Sequence, residues 1–388
     1  MSHSLRRVFF IAALLLSLPI LAEAVRPKEQ SGGEPEASDT FTAVVDLKAL
    51  STMDQLIEKL ASKQVIFIGE SHDRYEDHLD QLAVIEGLHK KGRDLAIGME
   101  MFQQPFQSYL DAYVKGEISE KELLRKTEWF DRWRFDYRLY RPILRFARGH
   151  RIPLVALNLE REITGKVGKG GLGSLSPQER ARIPSDIDRD DQDYRERIKT
   201  VFEQHPGADK KDFERFLEVQ LLWDEGMAER AAAYLREHPE KTLIVLAGTG
   251  HLEYGQGIPR RLLRRVPAES AILLDGKQRG PDPEIADFML YSQPVPLPAS
   301  GQLGVLLDAD SKGEGVAIKG FAESSGAEDT GMKEGDRILA VGGDPVAFYS
   351  DIRIALLGRR PGEKLSIEVL RKHLLRKDER LTFEVQLH

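Results

Sequence analysis

Four short apolar runs, Val65 to Ile68, Leu95 to Met99, Leu154 to Leu159 and Leu243 to Ala247, constrain this chain more than any other feature. Each is too short for a packed helix and is separated from the next by helical periodicity, which argues for buried strands of a parallel α/β sheet. After the first run, "HLDQLAVIEGLHKKG" repeats Leu82, Ile85 and Leu88 at helical spacing and stops at Gly92. The gap between the third and fourth runs predicts a helical insertion. There Ser176 is an N-cap with Pro177 at the first helical position, and "KDFERFLEVQLLWDEG" sets Phe213, Phe216, Leu217, Gln220 and Trp223 along one side. "GKVGKGGLGSL", Gly165 to Leu175, is expected to be a mobile loop, being too glycine-rich for an element interior and matching no phosphate-binding spacing.

At 388 residues the chain should hold two folded units, a large one and a small one. Residues 1–24 have Arg6 and Arg7, an apolar stretch from Val8 to Leu21 and the pattern Ala22-Glu23-Ala24. They read as a secretory signal, with a faint twin-arginine flavour, so the mature protein is expected to be exported to the periplasm or cell envelope and soluble after cleavage. Residues 25–40 are a Pro-, Gly-, Ser- and Glu-rich lead that cannot build a core. The chain has no cysteine, which leaves no lipidated cysteine, thiolate metal site or disulfide. A net charge of −7 gives no footprint for nucleic acid.

In an open parallel sheet, ligands bind beyond the carboxyl ends of the strands. All four runs end in polar groups: Glu70 and His72, then Glu100, then Asn158 and Glu160, then His251 in "GTGH". Two histidines and two carboxylates in one cleft suit a divalent ion such as zinc or manganese, bound by Glu70, His72, Glu100 and His251. They equally suit acid–base chemistry or haem. Gly69 is expected to permit the turn after the first strand, and Gly248, Gly250, Gly255 and Gly257 to let the backbone pass close to a flat ligand. His78 and Gln81 share a helix face towards the cleft. "WFDRWRFDYRLYRPIL" concentrates Trp129, Phe130, Trp133, Phe135, Tyr137 and Tyr140, which read as core, or as a macrocycle-stacking or docking surface with Tyr137 or Tyr140 as phenolate ligands to ferric haem.

"VIFIGESHDRYEDHLDQ", "IGMEMFQQPFQSYLDAYVKGEISEKELL", "RPILRFARGHRIPLVALNLEREI" and "LAGTGHLEYGQGIP" together resemble the ChaN-like haem-binding family of the Tiki superfamily, over residues 41–291. The resemblance implies an α/β fold, an envelope location, a role in haem or iron uptake and a homodimer with haem at its interface. The wider superfamily includes metal-dependent hydrolases and proteases, which keeps Glu70, His72, Glu100 and His251 as candidates for an alternative activity. Family members are commonly lipoproteins, a pattern from which this chain departs.

Pro294, Pro296 and Pro298 mark a linker at 292–299. Residues 300–388, above all "GMKEGDRILAVGGDPV", resemble a small, β-rich bacterial PDZ domain, with Gly326 and Met332 as mild departures. That resemblance implies that a peptide C-terminus adds a strand beside Leu303, Gly304, Val305 and Leu306, with a helix from about Ser350 to Leu357 as the other wall of the groove.

Overall fold

The computed structural model describes residues 45–388 except 205–211, 278, 309–311, 324 and 374; the expected signal and lead lie outside the described residues. The helices along the chain are α1 (Met53–Leu60), α2 (Tyr75–Lys90), α3 (Gln107–Lys115), α4 (Glu120–Lys126), α5 (Trp129–Arg132), α6 (Tyr137–His150), α7 (Arg161–Gly170), α8 (Pro177–Arg180), α9 (Gln192–Glu203), α10 (Phe213–Glu237), α11 (Ile258–Arg265) and α12 (Tyr349–Ala355). No helix among the described residues is long and apolar enough to cross a membrane.

The chain divides into two compact units. The first, 45–115 with 138–295, contains a wholly parallel sheet of β1 (Val65–Glu70), β2 (Leu95–Gln103), β3 (Leu154–Asn158), β4 (Thr242–Gly248), β5 (Ser270–Asp275) and β6 (Phe288–Leu290). Its order is β3-β2-β4-β1-β5-β6. The four apolar runs are β1 to β4; β5 and β6 extend the sheet beyond them. From β1 the chain moves outward to β2 and β3, returns to insert β4 between β1 and β2, then continues to β5 on the far side of β1. The reversal opens a crevice at the carboxyl ends of β1, β4 and β2.

Every residue of β1 and β4 is buried, as expected for strands covered on both faces. Val65, Phe67, Leu243, Val245 and Ala247 pack with Met227, Ala228 and Ala231 of α10 and Leu262 of α11. Ser176 caps α8 with Pro177 at its first position, as expected. The segment Gly165 to Gly170, expected to be a loop, is helical: Ile163, Thr164 and Val167 of α7 are buried, and burial against Val219 and Leu222 overrides the weak helix propensity of glycine.

The second unit, 116–137 with 296–388, is an antiparallel β-rich fold. Its strands are β7 (Val305–Leu307), β8 (Val316–Phe321), β9 (Arg337–Val341), β10 (Asp344–Pro345), β11 (Lys364–Arg371) and β12 (Glu379–Gln386), in the order β12-β11-β9-β8-β7 with β10 on β9. Val316, Ile318, Ile338, Val341, Ile352, Ile367, Val369 and Val385 form its core. Residues 116–137, an excursion between α3 and α6, belong to this unit: their helices α4 and α5 pack on α12.

Candidate functional site

Glu70 ends β1 wholly buried, and four side chains converge on it. Tyr140 Oη donates to Oε1 at 2.6 Å and His72 Nδ1 lies 2.9 Å from the same oxygen. Gln81 Nε2 donates to Oε2 at 2.8 Å, with His78 Nδ1 3.4 Å from it. Burial by itself would raise the acid's pKa, but the charge of His78, with hydrogen bonds from His72 and His78, holds Glu70 well below the usual carboxylate range. His78 is raised in turn: burial disfavours its cation, and Glu70 outweighs burial.

The second cluster is built on β2, β4 and α10. Glu100 Oε2 accepts the backbone N–H of Gly248 at 2.7 Å, and its Oε1 lies 3.5 Å from His251 Nε2. His251 Nδ1 is 2.6 Å from Asp224 Oδ1, and Tyr194 donates to Asp224 Oδ2 at 2.7 Å. Burial would lower the pKa of His251; Asp224 first and Glu100 second lift it to about 9, so the ring is an imidazolium at neutral pH. The turn carrying it is braced by Arg197, which donates to the Gly250 carbonyl at 3.0 Å and pairs with Glu253 at 2.9 Å.

The strand ends thus bring the four expected residues into two pairs, Glu70 with His72 and Glu100 with His251, on either side of the Gly248–Thr249 turn. They do not form one divalent-ion site: among the described residues no group of three or more His, Asp or Glu is placed to hold a metal ion, because the carboxylate oxygens are directed at protein donors. Asn158 donates to the Glu100 carbonyl at 3.1 Å, and its buried Oδ1 has no partner among the described residues. Glu160 is the N-cap residue of α7 and pairs with Arg182.

Two glycines serve purposes other than those expected. Gly69 lies inside β1 rather than at a turn: a Cβ there would come within 2.5 Å of Leu274 and 3.3 Å of the Thr249 backbone. At Gly257 a Cβ would meet the His251 carbonyl oxygen at 2.1 Å, so its clearance is used by the site's own backbone.

The aromatic run is interior. Trp129, Tyr137 and Tyr140 are at most 1% exposed, and the hydroxyls of both tyrosines are committed, Tyr137 to Glu120 at 3.1 Å in the second unit and Tyr140 to Glu70 in the first. The phenolate-ligand expectation for Tyr137 and Tyr140 therefore fits neither environment. Asp224, Tyr194 and Arg197 were not legible as site residues, since an acid within a helix reads as part of a solvated face. Tyr254 follows His251 with a left-handed backbone (φ 58°) and is 40% exposed.

Residues 56–262 match the family described as haem-binding uptake, Tiki superfamily, ChaN, and 301–387 match the PDZ domain. The chain belongs to the ChaN family. A solved structure described as cofacial haem binding to ChaN of Campylobacter jejuni is 18% identical; the match covers 61% of this chain and 91% of that one with a TM-score of 0.50, which supports the fold. The chloroplastic protein RETICULATA-RELATED 5 of Arabidopsis thaliana is 23% identical over 274 residues, and the chain spans only 35% of its length. The HtrA3 PDZ domain bound to a phage-derived ligand is 21% identical, covering 23% of this chain and 85% of that one with a TM-score of 0.19.

In the PDZ unit β7 is the edge strand, Leu303 is buried and Leu306 is 57% exposed. The expected helix is present as α12.

Proposed function

We propose that this is an exported haem-binding protein serving haem or iron uptake, whose PDZ domain docks a peptide C-terminus. The family match carries this reading, because residues 56–262 include both strand-end clusters. The iron contact of a bound haem would lie outward of the two strand-end clusters. His251 has Asp224 and Glu100 at its two nitrogens, and Tyr137 and Tyr140 are committed, whereas Tyr254, three residues after His251, is 40% exposed. Partial burial raises the Tyr254 pKa, as do Asp282 and Glu253, while Arg197 and Arg279 oppose them. Its phenolate would form only against a strong cation such as ferric iron. Glu70, His72, His78, Glu100, Asn158 and His251 would form the polar floor, with the Asn158 Oδ1 open to an incoming donor. A homodimer would enclose the haem faces.

For peptide docking, the support is an edge strand with Leu306 exposed along it, to which an added strand would pair beside Leu303, Gly304 and Val305. The test of the site is ferric haem added to the full chain and to Tyr254→Phe and Tyr140→Phe. Only Tyr254→Phe should weaken binding about tenfold or more and abolish the phenolate signature in the visible spectrum. Unchanged binding by Tyr254→Phe sinks that assignment.

One observation favours a second reading as a hydrolase: an imidazolium held between Asp224 and Glu100 is an acid awaiting a leaving group. Among the described residues no group of three or more His, Asp or Glu is placed to hold a divalent ion, so the chemistry would be acid–base. Hydrolysis of p-nitrophenyl acetate by the purified chain, lost in His72→Ala or His251→Gln while haem absorbance persists, would establish it. Retained hydrolysis in both variants would remove it.

A further inference from the structure

Within the first unit, α2 and residues 138–150 of α6 meet through aromatic rings at two levels. At one level His78 and Tyr140 have ring centroids 4.3 Å apart, where Tyr140 donates to Glu70. About three turns further along each helix, His89 and His150 have centroids 4.6 Å apart with 66° between the ring planes. Phe146 completes this second group, its ring 5.6 Å from His89 and 4.1 Å from His150. Unlike the buried first level, the second is open to solvent: His150 is exposed and His89 half-buried.

His150 Nδ1 lies 3.0 Å from the Phe146 carbonyl oxygen. A carbonyl can only accept, so in the neutral ring Nδ1 carries the proton and Nε2 keeps its lone pair, the tautomer in which a histidine binds a metal ion through Nε2. No group among the described residues is hydrogen-bonded to the His89 ring nitrogens. Both histidines stand in the last turns of their helices, where the carbonyl ends of the peptide dipoles favour a cation. Neighbouring basic side chains are engaged elsewhere: Lys91 pairs with Glu58, Arg93 donates to Thr242 at 3.0 Å, and Arg148 lies over the Tyr113 ring at 4.9 Å. With metal–nitrogen bonds of about 2.0–2.1 Å, two imidazoles on one ion have ring centres roughly 4.4–5.2 Å apart at square or tetrahedral angles, and roughly 6.3 Å apart when trans. The observed 4.6 Å matches a cis pair on a free ion, not the two trans axial positions of a haem iron.

We propose that His89 and His150 form a surface site for a divalent transition-metal ion, copper(II) being held more tightly than nickel(II) or zinc(II). Two side chains fall short of a closed structural site, so water fills the remaining positions and the ion stays exchangeable. A bound ion ties together the ends of the two helices that carry His78 and Tyr140 further along. The site takes no residue from either strand-end cluster, so it stands whether or not the chain binds haem.

The test is copper(II) titrated into the full chain at neutral pH and followed by electron paramagnetic resonance, for the wild type, His89→Ala, His150→Ala, the double variant and His238→Ala. The first equivalent bound by the wild type should show coupling to two imidazole nitrogens, a readout that needs no variant. Each single variant should weaken that equivalent more than about tenfold, and the double variant little further, because losing either ring breaks the chelate. His238→Ala removes a partly exposed histidine just beyond α10 and should leave the first equivalent unchanged. Circular dichroism of each variant separates loss of copper from loss of fold. A first equivalent coupled to one imidazole nitrogen, or bound as tightly by either single variant, overturns the site. Several equal, weak equivalents in the wild type would mean an adventitious ion only, which overturns it as well.

Discussion

Asp224→Asn isolates the charge that holds His251 as a cation. Asparagine keeps the size of the side chain and an oxygen for the imidazole Nδ1–H, while Tyr194 Oη can accept from the new amide. The rise of His251 from 6.5 to about 9 corresponds to about 3 kcal/mol in favour of the charged ring. Burial works against it, Asp224 is the largest contribution in favour and Glu100 the next. Removing the Asp224 charge should return the midpoint towards neutrality by at least about one pH unit, or about 1.4 kcal/mol. The sign follows from linkage: a histidine raised in the folded state contributes stability that is complete below about pH 6.5 and is lost as pH rises through about 9. Nuclear magnetic resonance of the His251 ring gives the midpoint directly. Urea unfolding between pH 6 and 9.5 should show the wild type losing more stability than Asp224→Asn over that window. A midpoint still near 9 in the variant, or parallel stability curves, would refute the assignment of Asp224 as the anchor.

Tyr140→Phe removes a hydroxyl bonded to an ionised, buried carboxylate and should cost about 1.5–3 kcal/mol in urea unfolding; a loss below about 0.5 kcal/mol would mean that the bond is replaced. Gly257→Ala places a methyl on the His251 carbonyl and should destabilise the chain by about 2–4 kcal/mol, against near-neutrality for Gly250→Ala, where the space is open. Asp77 is raised to about 7, first by burial, with the Ser71 N–H and Arg74 opposing. Its effect on stability is therefore favourable at about pH 4 and lost as pH rises through about 7. Asp77→Asn should flatten that part of the pH profile, and an unchanged profile would show that Asp77 is ionised without penalty.

Much of the first unit could be read from local pattern. The strands β1 to β4 are continuous apolar runs because both faces are covered, and a parallel topology then sends their polar ends to one side. The glycine-rich α7 could not be read, because packing against α10 supplies what propensity lacks. The partners of His251 escaped for a related reason: Asp224 sits mid-helix among Leu222, Glu225 and Met227, and only tertiary burial distinguishes it from a solvated acid. The excursion has no local signature at all. Lys121 finds Asp344 and Arg125 finds Asp351 across more than two hundred residues, and nothing in "GEISEKELLRKTEWFDRW" announces it.

Haem binding by the family domain is decided by an equilibrium titration of ferric haem into the full chain, followed at the Soret band. The expected result is a saturable, stoichiometric shift that survives Tyr140→Phe and is weakened by Tyr254→Phe; a linear, unsaturable absorbance matching free haem would contradict haem binding.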